Sequence, residues 1–119
     1  MDRAVVASID EALSGARADA VVFVAVSVAG EPLGFIHLHG ASDFFTGEPH
    51  GHVSDIVVAS AAEGRGVGQA LMAAAEDWAR QLGYRLLSLH VFAGNTRARS
   101  FYERLGYGPD IVKLIKPLG

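Results

Sequence analysis

Near residue 60 the chain changes period. From Gly51 to Ala59 (GHVSDIVVA) it is rich in β-branched residues and reads as a strand. From Val67 onward, Val67, Leu71, Ala74, Trp78 and Leu82 recur on one helical stripe that Gly83 ends. Between the two lies Glu63-Gly64-Arg65-Gly66-Val67-Gly68, with glycines at three alternate positions. A glycine turn joining a strand to a helix lets backbone approach a ligand closely. The first N–H groups of the helix lack partners, and its dipole adds positive potential there. Arg65 adds a cation. The pattern predicts a phosphate cradle from Gly64 to Gln69 or, more plainly, a tight turn. It is not a nucleoside-triphosphate loop, because it ends Gly68-Gln69-Ala70 without Lys and Ser/Thr. Nor is it the dinucleotide fingerprint, whose third glycine is replaced by Gln69 or Leu71 and whose distant acidic residue is missing.

The remaining segments give the expected order of elements. Asp2 can cap a helix with Val5, Val6, Ile9, Ala12 and Leu13 at three- and four-residue steps, stopped by Gly15. Ala20 to Val28 (AVVFVAVSV) reads as a buried strand, and Leu33 to Gly40 (LGFIHLHG) as its hairpin partner across Ala29-Gly30-Glu31-Pro32. A polar loop leads to the strand that begins at Gly51. After the long helix come a strand from Arg85 to Phe92 and a second helix from Asn95 or Thr96 to Leu105. Ala98, Phe101, Tyr102 and Leu105 lie on that helix's inner face, and Gly106 ends it. The tail DIVKLIKPLG reads as a last short strand. A meander followed by strand–helix–strand units predicts an α/β domain over residues 1–119: a mixed twisted sheet with helices on both faces.

Composition narrows the function classes. The 119 residues are 50% hydrophobic and 19% charged, enough for a core and too apolar for disorder. A net charge of −3 argues against a generic nucleic-acid binder. There is no cysteine, hence no disulfide, no thiolate nucleophile and no thiolate metal site, as suits a reducing cytoplasm. The longest apolar run, Ala20 to Val26, is too short to span a bilayer, and the N-terminus lacks an uninterrupted signal core. The expectation is a cytoplasmic protein with neither nucleic acid nor membrane as partner.

Two segments carry a resemblance. Val58-Ala59-Ser60-Ala61-Ala62-Glu63-Gly64-Arg65-Gly66-Val67-Gly68 resembles the acetyl-coenzyme A loop of the GNAT N-acetyltransferases, Val-x-Pro-x-x-Arg/Gln-Gly-x-Gly-x-Gly. Further on, Asn95-Thr96-Arg97-Ala98-Arg99-Ser100-Phe101-Tyr102-Glu103-Arg104-Leu105-Gly106-Tyr107 resembles the family's second signature at every defined position. The likeness is good from Gly51 to Tyr107 and weaker outside. It implies that the cofactor's pyrophosphate lies on the N–H groups of Gly64, Arg65, Gly66, Val67, Gly68 and Gln69. The pantetheine arm would run along Ile56, Val57 and Val58, and Asn95 would touch it. Tyr102 would lie near the thioester sulfur, where a phenol, protonated at neutral pH, can give the departing thiolate its proton. There are departures: Glu63 puts a negative charge where the family has Arg or Gln, and Ser60 replaces a proline. The front of the chain is too short for the family's first strand and one early helix, and the tail holds one closing strand instead of two.

The attacking amine must lose a proton. The family's frequent base position falls on Ser54, which cannot serve unaided. His52 is the best substitute, with Asp55 next. Strand alternation puts His52, Ser54, Ile56 and Val58 on one side and Val53, Asp55 and Val57 on the other. His37 and His39 form one His-x-His pair, His50 and His52 another. A metal site needs both pairs on one face, and ordinary sheet histidines or acceptor-pocket lining are the plainer reading. His90 reads as structural and Trp78 as core.

The expected function is direct transfer of acetyl from acetyl-coenzyme A to the amine of a small-molecule or peptide acceptor, in a ternary complex, with Tyr102 as acid and His52 as base. The rivals are a coenzyme A-binding regulatory module without turnover and a histidine-metal enzyme. A missing first strand would leave the apolar Ala20–Val28 strand as a bare edge, which predicts a homodimer covering it.

Overall fold

The computed structural model describes residues 5–9 and 19–119. Five strands form one sheet in the order β1 (Val5–Ile9), β2 (Val21–Val26), β3 (Pro32–Ser42), β4 (Pro49–Val58), β5 (Leu87–Leu89). Neighbours from β1 to β4 pair antiparallel, and β4 pairs β5 parallel, so the sheet is mixed as expected. The parallel step follows from helix α1 (Val67–Gln81), which carries the chain back along the sheet before β5. Helix α2 (Thr96–Arg104) comes after β5. Among the described residues no helix is long and apolar enough to cross a membrane.

The core lies between α1 and one face of the sheet. Ala25, Ile36, Leu38 and Val53 pack there against Val67, Leu71, Met72 and Ala75. The buried stripe of α1 is turned slightly from the expected one: Met72, Ala75 and Ala79 are buried, whereas Leu82 is 52% exposed. Trp78 stays a core residue. It packs edge-to-face on Tyr84 and covers Gly51, where a Cβ would come within 2.9 Å of its ring.

Five expectations are corrected. Val5–Ile9 is a strand, not part of a helix; Asp2, Ala12, Leu13 and Gly15, which completed that reading, lie outside the described residues. In five residues the spacing of Val5, Val6 and Ile9 fits either period, and pairing with the apolar β2 favours the extended form. The front of the chain therefore does hold a first strand. It also covers the edge that suggested a homodimer, because β2 lies between β1 and β3. The tail after Tyr107 forms no strand, and Ile111, Val112, Leu114, Ile115 and Leu118 are exposed. Finally, β5 spans only Leu87–Leu89 of the expected Arg85–Phe92.

A bulge in β4 changes which side chains meet. Leu38 pairs with Val53 and His37 with Asp55, so Ser54 is an extra residue without an opposite number on β3. The alternation flips there. Val53, Ile56 and Val58 share the face packed on α1, while His52, Asp55 and Val57 share the other. Simple period-two reading placed His52 with Ile56 and Val58, and is overturned.

Candidate active site

β4 has a half-open outer edge. β5 pairs only with Gly51, His52 and Val53, so beyond the Ser54 bulge Asp55 to Val58 are paired to β3 on one side and, among the described residues, to no strand on the other. Ile56 and Val58 are half-buried, and Val57 is exposed on the far face. The backbone groups along this edge can accept an extended ligand as a further strand.

The glycine turn closes the end of that edge. After Val58 the chain makes a short 3-10 turn (Ser60–Ala62), and Gly64 and Gly66 then take φ values of +79°. Only glycine adopts this left-handed backbone without strain. A Cβ at either position would meet nothing within 4 Å, so their outer sides are open. Gly66 is the N-cap of α1, with no side chain capping it. The first intrahelical bond joins Ala70 N–H to Gly66 carbonyl, which leaves the N–H groups of Val67, Gly68 and Gln69 without intrahelical partners. These open donors and the exposed Arg65 fit an anionic group. Glu63 reaches across to Arg97, 4.0 Å away, so its charge is partly answered from α2.

Helix α2 packs beside the start of α1. A Cβ on Gly68 would lie 3.3 Å from the Phe101 ring, so a glycine there permits the approach. Tyr102 sits half-buried between the rings of Phe101 and Tyr107, at centroid distances of 5.1 and 6.1 Å. Burial raises its phenol above the ordinary value, so it keeps its proton at neutral pH. Tyr107 donates to Glu76 Oε2 at 2.8 Å, which ties the end of α2 to α1. Burial, and then that bond to a carboxylate, raise the Tyr107 phenol further. Asn95 caps α2: its Oδ1 accepts from Ala98 N–H at 3.2 Å.

On the face opposite α1, His52 stands where β4 and β5 still pair. Its Nδ1 lies 2.8 Å from Ser88 Oγ. The Ser88 hydroxyl also lies 3.5 Å from Gly51 carbonyl, which can take its proton. Ser88 Oγ then accepts from Nδ1–H, and Nε2 carries the free lone pair. Burial, followed by neighbouring His90, His39 and His50, lowers the His52 pKa below 6.5. Ser88 escaped sequence reasoning. Its signal was a lone hydroxyl between the leucines of the strand. Ser54 donates its hydroxyl to His37 carbonyl at 3.2 Å, so it is a backbone tie. Asp55 Oδ2 lies 3.6 Å from His37 Nδ1 and is held by it.

The two His-x-His pairs do share a face, yet among the described residues no three His, Cys, Asp or Glu side chains converge as a metal site does. A depression of about 440 Å³ lined by Asp19, His39, Gly40, Tyr84 and others lies at the β3–β4 hairpin end, away from the glycine turn.

The chain is similar to known proteins in sequence and in fold. Streptothricin acetyltransferase of Streptomyces lavendulae is 34% identical over 98 residues, 82% of this chain and 50% of that protein. Aminoglycoside N(6')-acetyltransferase type 1 of Stenotrophomonas maltophilia is 30% identical, over 77% of this chain and 62% of its own length. The chain thus spans about half the length of the curated relatives it matches. The structure of a putative acetyl transferase from Pyrococcus furiosus superposes with a TM-score of 0.79 at 30% identity, covering 91% of this chain and 71% of that one. The model of the acetyltransferase (GNAT) family matches residues 4–107, which include β1, the glycine turn and all of α2. With the mixed sheet, the open β4 edge and both signature segments in that match, the chain belongs to the GNAT acetyltransferase family.

Proposed function

We propose that the protein transfers acetyl from acetyl-coenzyme A directly to an amine acceptor. The observation that carries this reading is the open β4 edge running into the uncapped start of α1. Gly64 and Gly66 to Gln69 bind the pyrophosphate through backbone N–H groups, and Arg65 adds its charge alone, its N–H being given to Ala62 carbonyl at 3.3 Å. The edge at Ile56, Val57 and Val58 holds the pantetheine arm, and the Asn95 amide meets it. The cosubstrate supplies the activated acetyl group, and the chain has no cysteine thiol to carry it on the way to the acceptor.

Two side chains handle protons. His52 Nε2 receives the proton of the acceptor ammonium, and the lowered pKa keeps that nitrogen free at neutral pH. Tyr102 holds the proton needed by the leaving sulfur. The acidic limb of the rate profile is therefore expected to have its midpoint below pH 6.5, because the rate falls as His52 gains a proton. In His52→Gln that limb should flatten, while the basic limb stays. An unchanged acidic limb would assign the base elsewhere.

Calorimetry with coenzyme A, followed by thiol release from acetyl-coenzyme A across an amine panel, tests the whole reading. No binding overturns it. Tight binding with no turnover on any amine favours a regulatory module. Glu63→Gln is expected to tighten coenzyme A binding about two- to fivefold, the range of an exposed charge. Unchanged affinity would mean that Arg97 already neutralises Glu63 fully.

A further inference from the structure

All five histidines of the chain stand on the sheet face opposite α1. His37 and His39 come from β3, His50 and His52 from β4, and His90 from just beyond β5. Four of the rings run in a row across three strands: His37 to His39 at 6.3 Å, His39 to His52 at 5.3 Å, His52 to His90 at 5.0 Å. On the same face the β2 register adds only Val22 and Val24, while Phe35 and Val57 add apolar surface beside the open edge. Asp55 is the one carboxylate on this face among the strand residues described, and His37 holds it at 3.6 Å. Glu48, just before β4, is engaged by Arg85 at 3.6 Å. Asp19 lies over Gly40, on the side away from His52, and lines with one flank of His39 the depression at the hairpin end.

The row lies where the acceptor must come in. The glycine turn and α1 occupy the other face, so a donor lying along β4 with its pyrophosphate at Gly64–Gln69 leaves the histidine face for the amine. A cationic acceptor with a second ammonium would need free carboxylates there. The face offers imidazoles. His39 Nδ1 donates to Gly40 carbonyl at 2.8 Å, because a carbonyl can only accept, so its Nε2 is the atom left for a ligand. Protonated on Nε2, such a ring gives an anion a charge-assisted hydrogen bond.

We propose that the acceptor is a small amine that also bears an anionic group, and that His39 and His90, on either side of His52, receive that group. This rests on the reading of the open β4 edge as the acetyl-donor site. His52 takes the ammonium proton while its flanking imidazoles hold the acid end.

The test uses acceptors of one length: β-alanine, 2-aminoethylphosphonate and β-alaninamide. Binding to the protein with coenzyme A present is followed by histidine side-chain NMR and calorimetry, and acetylation by thiol release. The two acids are expected to bind at least about tenfold tighter than the amide at pH 6.5. The preference should vanish in a His39→Gln/His90→Gln protein. The carboxylate and phosphonate arms tell which acid the site takes. The acid-against-amide comparison on the unmutated protein is a readout that needs no variant to fold. An amide bound or acetylated as well as the acids, or a preference that survives in the double variant, overturns the anion site and leaves acetyl transfer standing. Acids bound on His39 and His90 with no thiol released from any amine uphold the anion site and overturn the transfer.

Discussion

Tyr102→Phe is expected to lower turnover about a hundredfold or more while coenzyme A affinity hardly moves. The ring stays, so its edge contacts with Phe101 and Tyr107 stay, and so does the packing of α2 on α1. Only the phenolic proton is removed. Burial raises the phenol's pKa, which costs some driving force for proton transfer but guarantees that the proton is present across the working range. Steady-state thiol release together with calorimetry separates the two effects. A drop in turnover with intact affinity assigns the proton donor. Full turnover would show that water protonates the leaving sulfur and that Tyr102 is a packing residue. The basic limb of the pH–rate profile should vanish in the variant, because its titrating group is gone.

A second large effect is expected in stability, and it tests how α1 is rotated on the sheet. Leu71 is fully buried among Ile36, Leu38, Val67, Met72 and Ala75, whereas Leu82 is 52% exposed. Leu71→Ala should cost about 2–5 kcal/mol, the transfer of the lost methyl groups plus the cavity left behind. Leu82→Ala should cost under about 1 kcal/mol. Urea unfolding of both variants gives the comparison. The first loss is a large share of the roughly 5–15 kcal/mol that holds a domain of this size. Similar losses at the two positions would mean that Leu82 is buried and that the helix presents the stripe first read from its period.

Local signals made much of the site legible. Gly64 and Gly66 are glycines because their φ values require it, and the helix that follows starts within a residue of where the apolar stripe begins. The helix expected to start at Asn95 or Thr96 does start at Thr96, and the structure adds that Asn95 caps it through the bond from Ala98 N–H. These features are set by backbone sterics and by hydrogen bonds within a few residues, so a short window of sequence contains their cause.

Whatever depended on pairing between distant segments was decided by the tertiary structure. Val5–Ile9 carries both periods in five residues, and β2, many residues later, selects the strand. That strand covers the edge on which a homodimer was expected. The Ser54 bulge exists only as a mismatch between β3 and β4, yet it moves His52 to the face of Asp55 and away from Ile56. The gathering of every histidine on that face follows from this register and from the placing of β5, neither of which any one segment encodes. The sequence by itself determined the chemistry available: a glycine turn before a helix, a tyrosine on the next helix, imidazoles on the strands, no thiol. Which of these groups meet was determined by strand register, because a one-residue shift in a period-two element sends every later side chain to the opposite face.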